Sequence, residues 1–188
     1  MTKAIIVGGG ISGAFAGYFL AAEGVDVSIV DSYPRRDRAS DHNPGGLNPL
    51  HGPGIPGRMS SFAMQCYLAH LAEWPRIAEL SGMDFKGRLA SRIVLAFSEN
   101  EIEKLLVTRS LYSNAEGFDA QWLDTGELRR REPRIGPDAL GGLLVTGNAA
   151  VNSQRYRHAV LAAAYRMGAV GISGDVTEVD HHRGRVSA

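Results

Sequence analysis

An apolar run that breaks into evenly placed glycines opens this chain: Ala4-Ile5-Ile6-Val7 leads into Gly8, Gly10 and Gly13. The run is strand-like. An Ala-rich helical stretch follows from Ile11 to Glu23, and a second β-branched run, Val25 to Val30, ends on Asp31. Glycines at that spacing between a strand and a helix, with an acid about 20 residues beyond, mark a dinucleotide-binding turn. Gly8 permits the tight turn, Gly10 lets backbone approach a pyrophosphate, and Gly13 lets the helix pack close to the sheet. Gly17, one turn later, keeps the same helix face small. The amides that open the helix, those of Ile11 and Ser12 among them, lack carbonyl partners inside it and lie at the positive end of its dipole, facing phosphate. Asp31 offers two acceptor oxygens to a ribose diol and repels a 2′-phosphate, so the unit favours FAD or NAD over NADP. Arg35 and Arg36 pull the other way. The plain alternative is a βα turn that binds nothing, but strand, turn, helix, strand and acid coincide in order.

Of 188 residues, 44% are hydrophobic and 21% charged, a composition that builds a core and is not that of a disordered chain. Lys and Arg balance Asp and Glu at zero net charge, which argues against a nucleic-acid partner. Arg129-Arg130-Arg131 lies in a short helical stretch and reads as a solvated face. The single cysteine, Cys66, rules out an intrachain disulfide and suits a reducing compartment. Its apolar helical setting predicts a packed, inert thiol. The first apolar run is too short for a signal peptide, and no stretch approaches ~18 uninterrupted apolar residues. These features predict a soluble, cytoplasmic protein with no membrane span.

After Asp31 the pattern changes. Five glycines and four prolines fall between Asp41 and Gly57, a composition that excludes a helix or a central strand. An NAD-type Rossmann half would place a crossover helix and a third strand here. A long glycine-rich loop instead suggests close backbone approach to a ligand. Helical periodicity runs from Met59 to Leu80, with Pro75 dividing it, and Phe62, Met64 and Trp74 read as core. Strands are predicted over 88–97 and 140–146. Helices are predicted from Ser98, from Asp124, and from Asn152 or Ser153 to Met167, each opened by a capping residue. Tyr156, Arg157 and His158 read as surface at the start of the last helix. Ala169 to Val179 predicts one or two strand segments, and His181 to Gly184 a turn into a strand at Arg185.

This order resembles the N-terminal half of the FAD-dependent amine and amino-acid oxidoreductases, the D-amino-acid oxidase, glycine oxidase and sarcosine oxidase superfamily. Four segments carry the resemblance: Gly8-x-Gly10-x-x-Gly13-x-x-x-Gly17; Ala39-Ser40-x-x-Asn43-x-Gly45-Gly46-Leu47; Glu127-Leu128-x-x-x-Glu132-Pro133; and Gly142-Leu143 through Val151-Asn152 to Gly168-Ala169 and Val176. The resemblance implies an α/β fold: a Rossmann-like FAD-binding domain of the GR2 type, over 1–85 and 151–188, with part of an α+β substrate lobe over 86–150. It implies that Gly8, Gly10 and Gly13 hold the pyrophosphate, Asp31 the ribose and Ser40 a phosphate. Gly46 and Leu47 would approach the flavin ring, and the Val176 backbone would meet the adenine. Asp31 stands where Glu is more usual, and Asn152 where relatives often have Asp. Relatives continue into an Asp-x-Val-Val-x-Ala-x-Gly strand that completes the flavin site, so the chain is expected to be incomplete.

The implied reaction is oxidation of an amine or amino acid by hydride transfer to flavin N5, giving an imine that hydrolyses. No catalytic residue is identifiable in this half. His42 and His51 flank the flavin-side loop as a proton acceptor, as a covalent attachment point, or as ordinary loop histidines. His181 and His182 lack further ligands at metal-binding spacing. Two other readings stand beside this one. The first is an NAD-dependent dehydrogenase. The second is a non-catalytic remnant or half-protein that requires a partner chain or a C-terminal half.

Overall fold

The computed structural model, which describes residues 2–32, 38–49, 58–182 and 185–186, builds strand, turn and helix where the glycines place them. In chain order the elements are β1 (Lys3–Val7), α1 (Ile11–Ala22), β2 (Asp26–Asp31), α2 (Ala39–His42), β3 (Gly46–Leu47), α3 (Arg58–Ala72), α4 (Trp74–Ser81) and β4 (Arg88–Ala96). Then come α5 (Glu99–Ser113), β5 (Asp119–Asp124), α6 (Thr125–Arg131), β6 (Gly141–Ala150), α7 (Ser153–Arg166), β7 (Val170–Ser173), β8 (His181–His182) and β9 (Arg185–Val186). They form two units: Met1–Pro44, Trp74–Phe85 and Asn152–Ala188 in the first, Gly45–Glu73 and Lys86–Val151 in the second. The α/β class read from the sequence is the one observed. No helix among the described residues is long and apolar enough to cross a membrane.

In the first unit, β1, β2 and β7 make a parallel sheet in the order β1-β2-β7, with Ile6 opposite Ile29 and Val30 opposite Ile172. Helix α1 lies against one face because its glycines allow it. A Cβ on Gly17 would meet Ile29 Cδ1 at 2.6 Å, and one on Gly13 would meet the Gly8 carbonyl oxygen at 1.9 Å. Helix α7 buries Ala159, Val160, Ala163 and Ala164. Asn152 caps it, its Oδ1 accepting from the Arg155 amide at 3.0 Å, and Gly168 at φ 103° follows its end. An aromatic block completes this core. The Tyr156 ring lies 4.7 Å from Phe85 and 5.7 Å from Phe15, centroid to centroid, and the Trp74 indole donates to its hydroxyl at 3.0 Å. On the opposite face of the sheet Ile5, Val7, Val170 and Ile172 are 50, 62, 53 and 46% exposed. Parallel sheets ordinarily bury both faces.

The second unit is antiparallel. Strand β6 pairs along one edge with β4 and along the other with β5 and then β3. Ala96, Leu143 and Val145 pack under Leu105 and Tyr112 of α5, while Leu123 and Leu144 pack with Leu128 of α6. Between Ala90 and Arg92 the β6 partner moves from Asn148 to Val145, so β6 carries one extra residue there. Gly147 supplies it at φ 89°, where a Cβ would lie 2.2 Å from the Gly117 carbonyl oxygen. Two of the expected helix starts are capped as read. Asp124 and Glu127 form a reciprocal capping box, with bonds of 2.8 and 3.2 Å. The Ser98 hydroxyl accepts from the Glu101 amide at 3.4 Å, but Glu101 reaches back to the Phe97 amide instead of that of Ser98.

Several expectations change. Residues 45–73 were placed with the glycine turn, yet they join the second unit. Gly46 and Leu47 pair with Ala150 and Ala149, and the Tyr67 hydroxyl donates to the Gly147 carbonyl at 2.6 Å. The glycine-rich loop admits one helical turn, α2, and the two-residue edge strand β3; its remainder over 50–57, with His51, lies outside the described residues. Arg35 and Arg36 also lie outside them. Cys66 is exposed, not packed, and Phe62 is 59% exposed. Strand β7 stops at Ser173, and residues 174–180 carry no regular element.

Candidate functional site

Gly10 caps α1 with extended backbone, no side chain caps the helix, and its first turn holds no acid. The Gly8 amide donates to Val30 O at 2.8 Å, which ties the turn, at φ 99°, to the neighbouring strand. The amides at positions 11–13 therefore open toward whatever lies beyond the strand ends. One of them is already engaged: the Ile11 amide donates to Ser40 Oγ at 3.0 Å. The structure thus brings together Gly8, Gly10, Ile11, Ser12, Gly13 and Ser40, residues 29 positions apart at the two ends of the Ile11–Ser40 bond.

Asp31 reaches back over this turn. A Cβ on Gly9 would meet its Oδ2 at 2.8 Å, so a side chain at this position would have to displace the carboxylate. The same carboxylate is paired with Arg38, whose Nη2 lies 2.5 Å from Oδ2 and 2.9 Å from the Ser32 carbonyl oxygen. Asp31, Arg38, Arg157, His158, Tyr165 and Ser173 are among the residues lining a cavity of about 300 Å³ beside β2 and β7. Val176 follows β7 outside any regular element and is 40% exposed. Gly46 and Leu47 belong to β3, in the other unit. His42 ends α2 and is exposed. Among the described residues no cluster of His, Cys, Asp and Glu could hold a metal ion.

Sequence reasoning placed Tyr156 and Arg157 on the surface, and both are buried, at 2 and 5% exposure. Arg157 Nε lies 2.7 Å from Asp41 Oδ1 and its Nη2 3.2 Å from Oδ2, while Nη1 reaches the Gly9 carbonyl oxygen at 3.3 Å. Its Nη2 also contacts His158 Nε2 at 2.7 Å. A guanidinium has no acceptor, so that ring nitrogen must accept and the imidazole is neutral. No local pattern signals this group, because Asp41 and Arg157 are 116 positions apart.

Burial, and then the Arg157 charge, hold the His158 imidazole below its ordinary value of 6.5, with Arg38 adding to the effect and Asp41 opposing it. Burial alone lowers His70. Both histidines bind a proton more readily in the unfolded chain. Stability is therefore unaffected by them above pH 6.5 and is lost as pH falls below it. The midpoint of thermal unfolding is expected to drop between pH 7.5 and about pH 5.5, and less steeply in His158→Gln. Equal slopes for the two proteins would remove His158 from this account.

A parallel sheet, a glycine turn at an open helix N-terminus and an acid closing the next strand define a dinucleotide-binding α/β fold. The model of the DAO family, described as FAD dependent oxidoreductase, matches residues 3–188, and the chain belongs to that family. It is similar to a glycine oxidase of Bacillus licheniformis, 27% identical over 174 residues that cover 93% of this chain and 44% of the relative. A glycine oxidase of Bacillus subtilis is 25% identical over 167 residues, covering 89% of this chain and 44% of that protein. Among solved structures, glycine oxidase from Geobacillus kaustophilus matches at a TM-score of 0.80 and 25% identity, over 92% of this chain and 47% of that one. The chain thus spans less than half the length of the curated relatives it matches. FAD is the cofactor of the family, which sets aside the NAD-dependent reading. The residues present fit its dinucleotide end. The N-cap residue of the helix brings no side chain to its amides, its first turn holds no acid, the turn has no room for a side chain at Gly13, and a carboxylate lies within reach of it.

Proposed function

We propose that this chain holds the ADP half of FAD in an oxidoreductase that acts on an amine or amino acid. The observation that carries the reading is the Ser40 hydroxyl on the Ile11 amide at 3.0 Å, a neutral oxygen at the place a phosphate oxygen would take. With FAD present, the amides at the start of α1 turn to the pyrophosphate and the Ser40 hydroxyl donates to it. Asp31 accepts from the ribose hydroxyls while Arg38 holds the carboxylate in place. On the family resemblance, Gly46 and Leu47 are assigned to the ring end and the Val176 backbone to the adenine. The flavin, when bound, would supply a two-electron acceptor, to which a substrate amine could lose hydride to become an imine that water would hydrolyse. Substrate selection is assigned to the part of the relatives that this chain does not match.

Quenching of FAD fluorescence on titration with the 188-residue chain tests this reading. FAD and ADP are expected to bind and FMN, which lacks the ADP half, not; NAD, which carries the same ADP half, is expected to bind no tighter than ADP. Asp31→Asn is expected to weaken FAD by about 10-fold, the scale of one charge-assisted hydrogen bond. Equal binding of FMN and FAD, or tighter binding of NAD, would overturn it.

A further inference from the structure

Among the described residues Arg157 is the one charged side chain in the buried core. Its guanidinium joins the Gly9 carbonyl in the glycine turn to the Asp41 carboxylate in α2. Each contact lies one residue from a phosphate-facing group: Gly9 precedes Gly10, and Asp41 follows Ser40. Helix α2 is a single four-residue turn with no buried residue and no side-chain cap, too short to be stable by its own hydrogen bonds. Its position depends on ties to other segments. Three are on hand: Arg157 to Asp41, the Ser40 hydroxyl to the Ile11 amide, and the Ser153 hydroxyl donating to the Asn43 carbonyl at 2.6 Å. The first two also reach the glycine turn, Arg157 at the Gly9 carbonyl and Ser40 at the Ile11 amide.

We propose that Arg157 is a positioning residue for diphosphate binding, one that holds α2 and the glycine turn together so that the Ser40 hydroxyl and the α1 amides are set before a ligand arrives. This rests on reading the site as the holder of the ADP half of FAD. Geometry, not charge, is what Arg157 supplies, because Asp41 neutralises it at contact distance. A buried ion pair of this kind is a weak source of stability compared with apolar residues of the same size. Its planar fork nonetheless fixes two partners in a way a lysine ammonium does not.

Arg157→Lys and Asp41→Asn test the inference in the full chain, with ADP and adenosine as probes and amide hydrogen exchange as a second readout. ADP affinity is expected to fall about tenfold in either variant, adenosine affinity less than about twofold, and the double variant to be no worse than the worse single one, since both remove the same tie. Without ligand, exchange is expected to quicken at residues 39–43 and at 9–12 but not in the rest of α1. Parallel loss of ADP and adenosine, or unchanged exchange at 39–43, would overturn the positioning role. If the wild-type chain bound neither FAD nor ADP while the variants still quickened exchange, the cofactor reading would fail and the brace would remain as a structural tie only.

Discussion

Gly13→Ala is expected to lose FAD binding by more than about tenfold and to destabilise the first unit by ~1–3 kcal/mol, the range for an overpacked core position. The added carbon would sit 1.9 Å from the Gly8 carbonyl oxygen and 3.2 Å from Ile6 Cγ2. The first of these is backbone of the turn itself, so it cannot swing aside as a side chain would. Relief requires α1 to move off the sheet or the turn to open, and either displaces the amides that face phosphate. The intrinsic helix preference of Ala over Gly favours the variant by ~1 kcal/mol, so the sign of the change in urea unfolding reports which effect wins. Gly10→Ala is the control. Its Cβ would meet Ser40 Oγ at 3.4 Å, an ordinary contact, and it should lose FAD with little change in stability. A Gly13→Ala protein as stable as wild type would show that the helix lies farther from the turn than described.

Tyr156→Ala is expected to remove ~3–5 kcal/mol of stability, the usual cost of deleting a buried aromatic ring. Tyr156 is 2% exposed and touches Phe15 of α1, Trp74 of α4 and Phe85, so one ring joins three segments to α7. Its hydroxyl also accepts the Trp74 indole N–H. Tyr156→Phe keeps the ring contacts and is expected to cost only ~1 kcal/mol, that of one hydrogen bond. Chemical denaturation followed by tryptophan emission separates the two, because Trp74 reports directly on this cluster. A loss in Tyr156→Ala no larger than in Tyr156→Phe would mean that the aromatic block does not carry this core.

What was legible in the sequence was local. The strand, turn, helix and acid from Ala4 to Asp31 lie within one continuous stretch. Gly8, Gly13 and Gly17 carry their reasons in their own spacing. The Asp124–Glu127 box and the Asn152 cap are bonds over three residues, which residue type and spacing along the chain reveal. Tyr156 and Arg157 were misplaced because their reasons are distant. Trp74 is 82 positions from Tyr156, and Asp41 is 116 from Arg157. A polar run at the start of a helix reads as surface until something across the fold claims it. Cys66 and Phe62 failed in the opposite direction: helical apolar spacing on α3 promised a buried face, and the described residues leave those two side chains open. The resemblance groups residues 45–73 with the glycine turn. In the structure they belong to the second unit, where Gly46 and Leu47 pair with a strand about a hundred positions later.

Strand β6 was expected to end at Thr146 and runs to Ala150, and the extra residue at Gly147 explains both facts. Apolar alternation is a sound guide only while the strand keeps one phase. Ala90 and Arg92 share a face of β4, so their partners Asn148 and Val145 share a face of β6 although an odd number of bonds separates them. Any alignment of this strand with one that lacks the bulge has to be made in two pieces. Positions up to Thr146 correspond in step; those from Asn148 onward are displaced by one, and a substitution transferred across that point without the correction would land on the wrong side of the sheet.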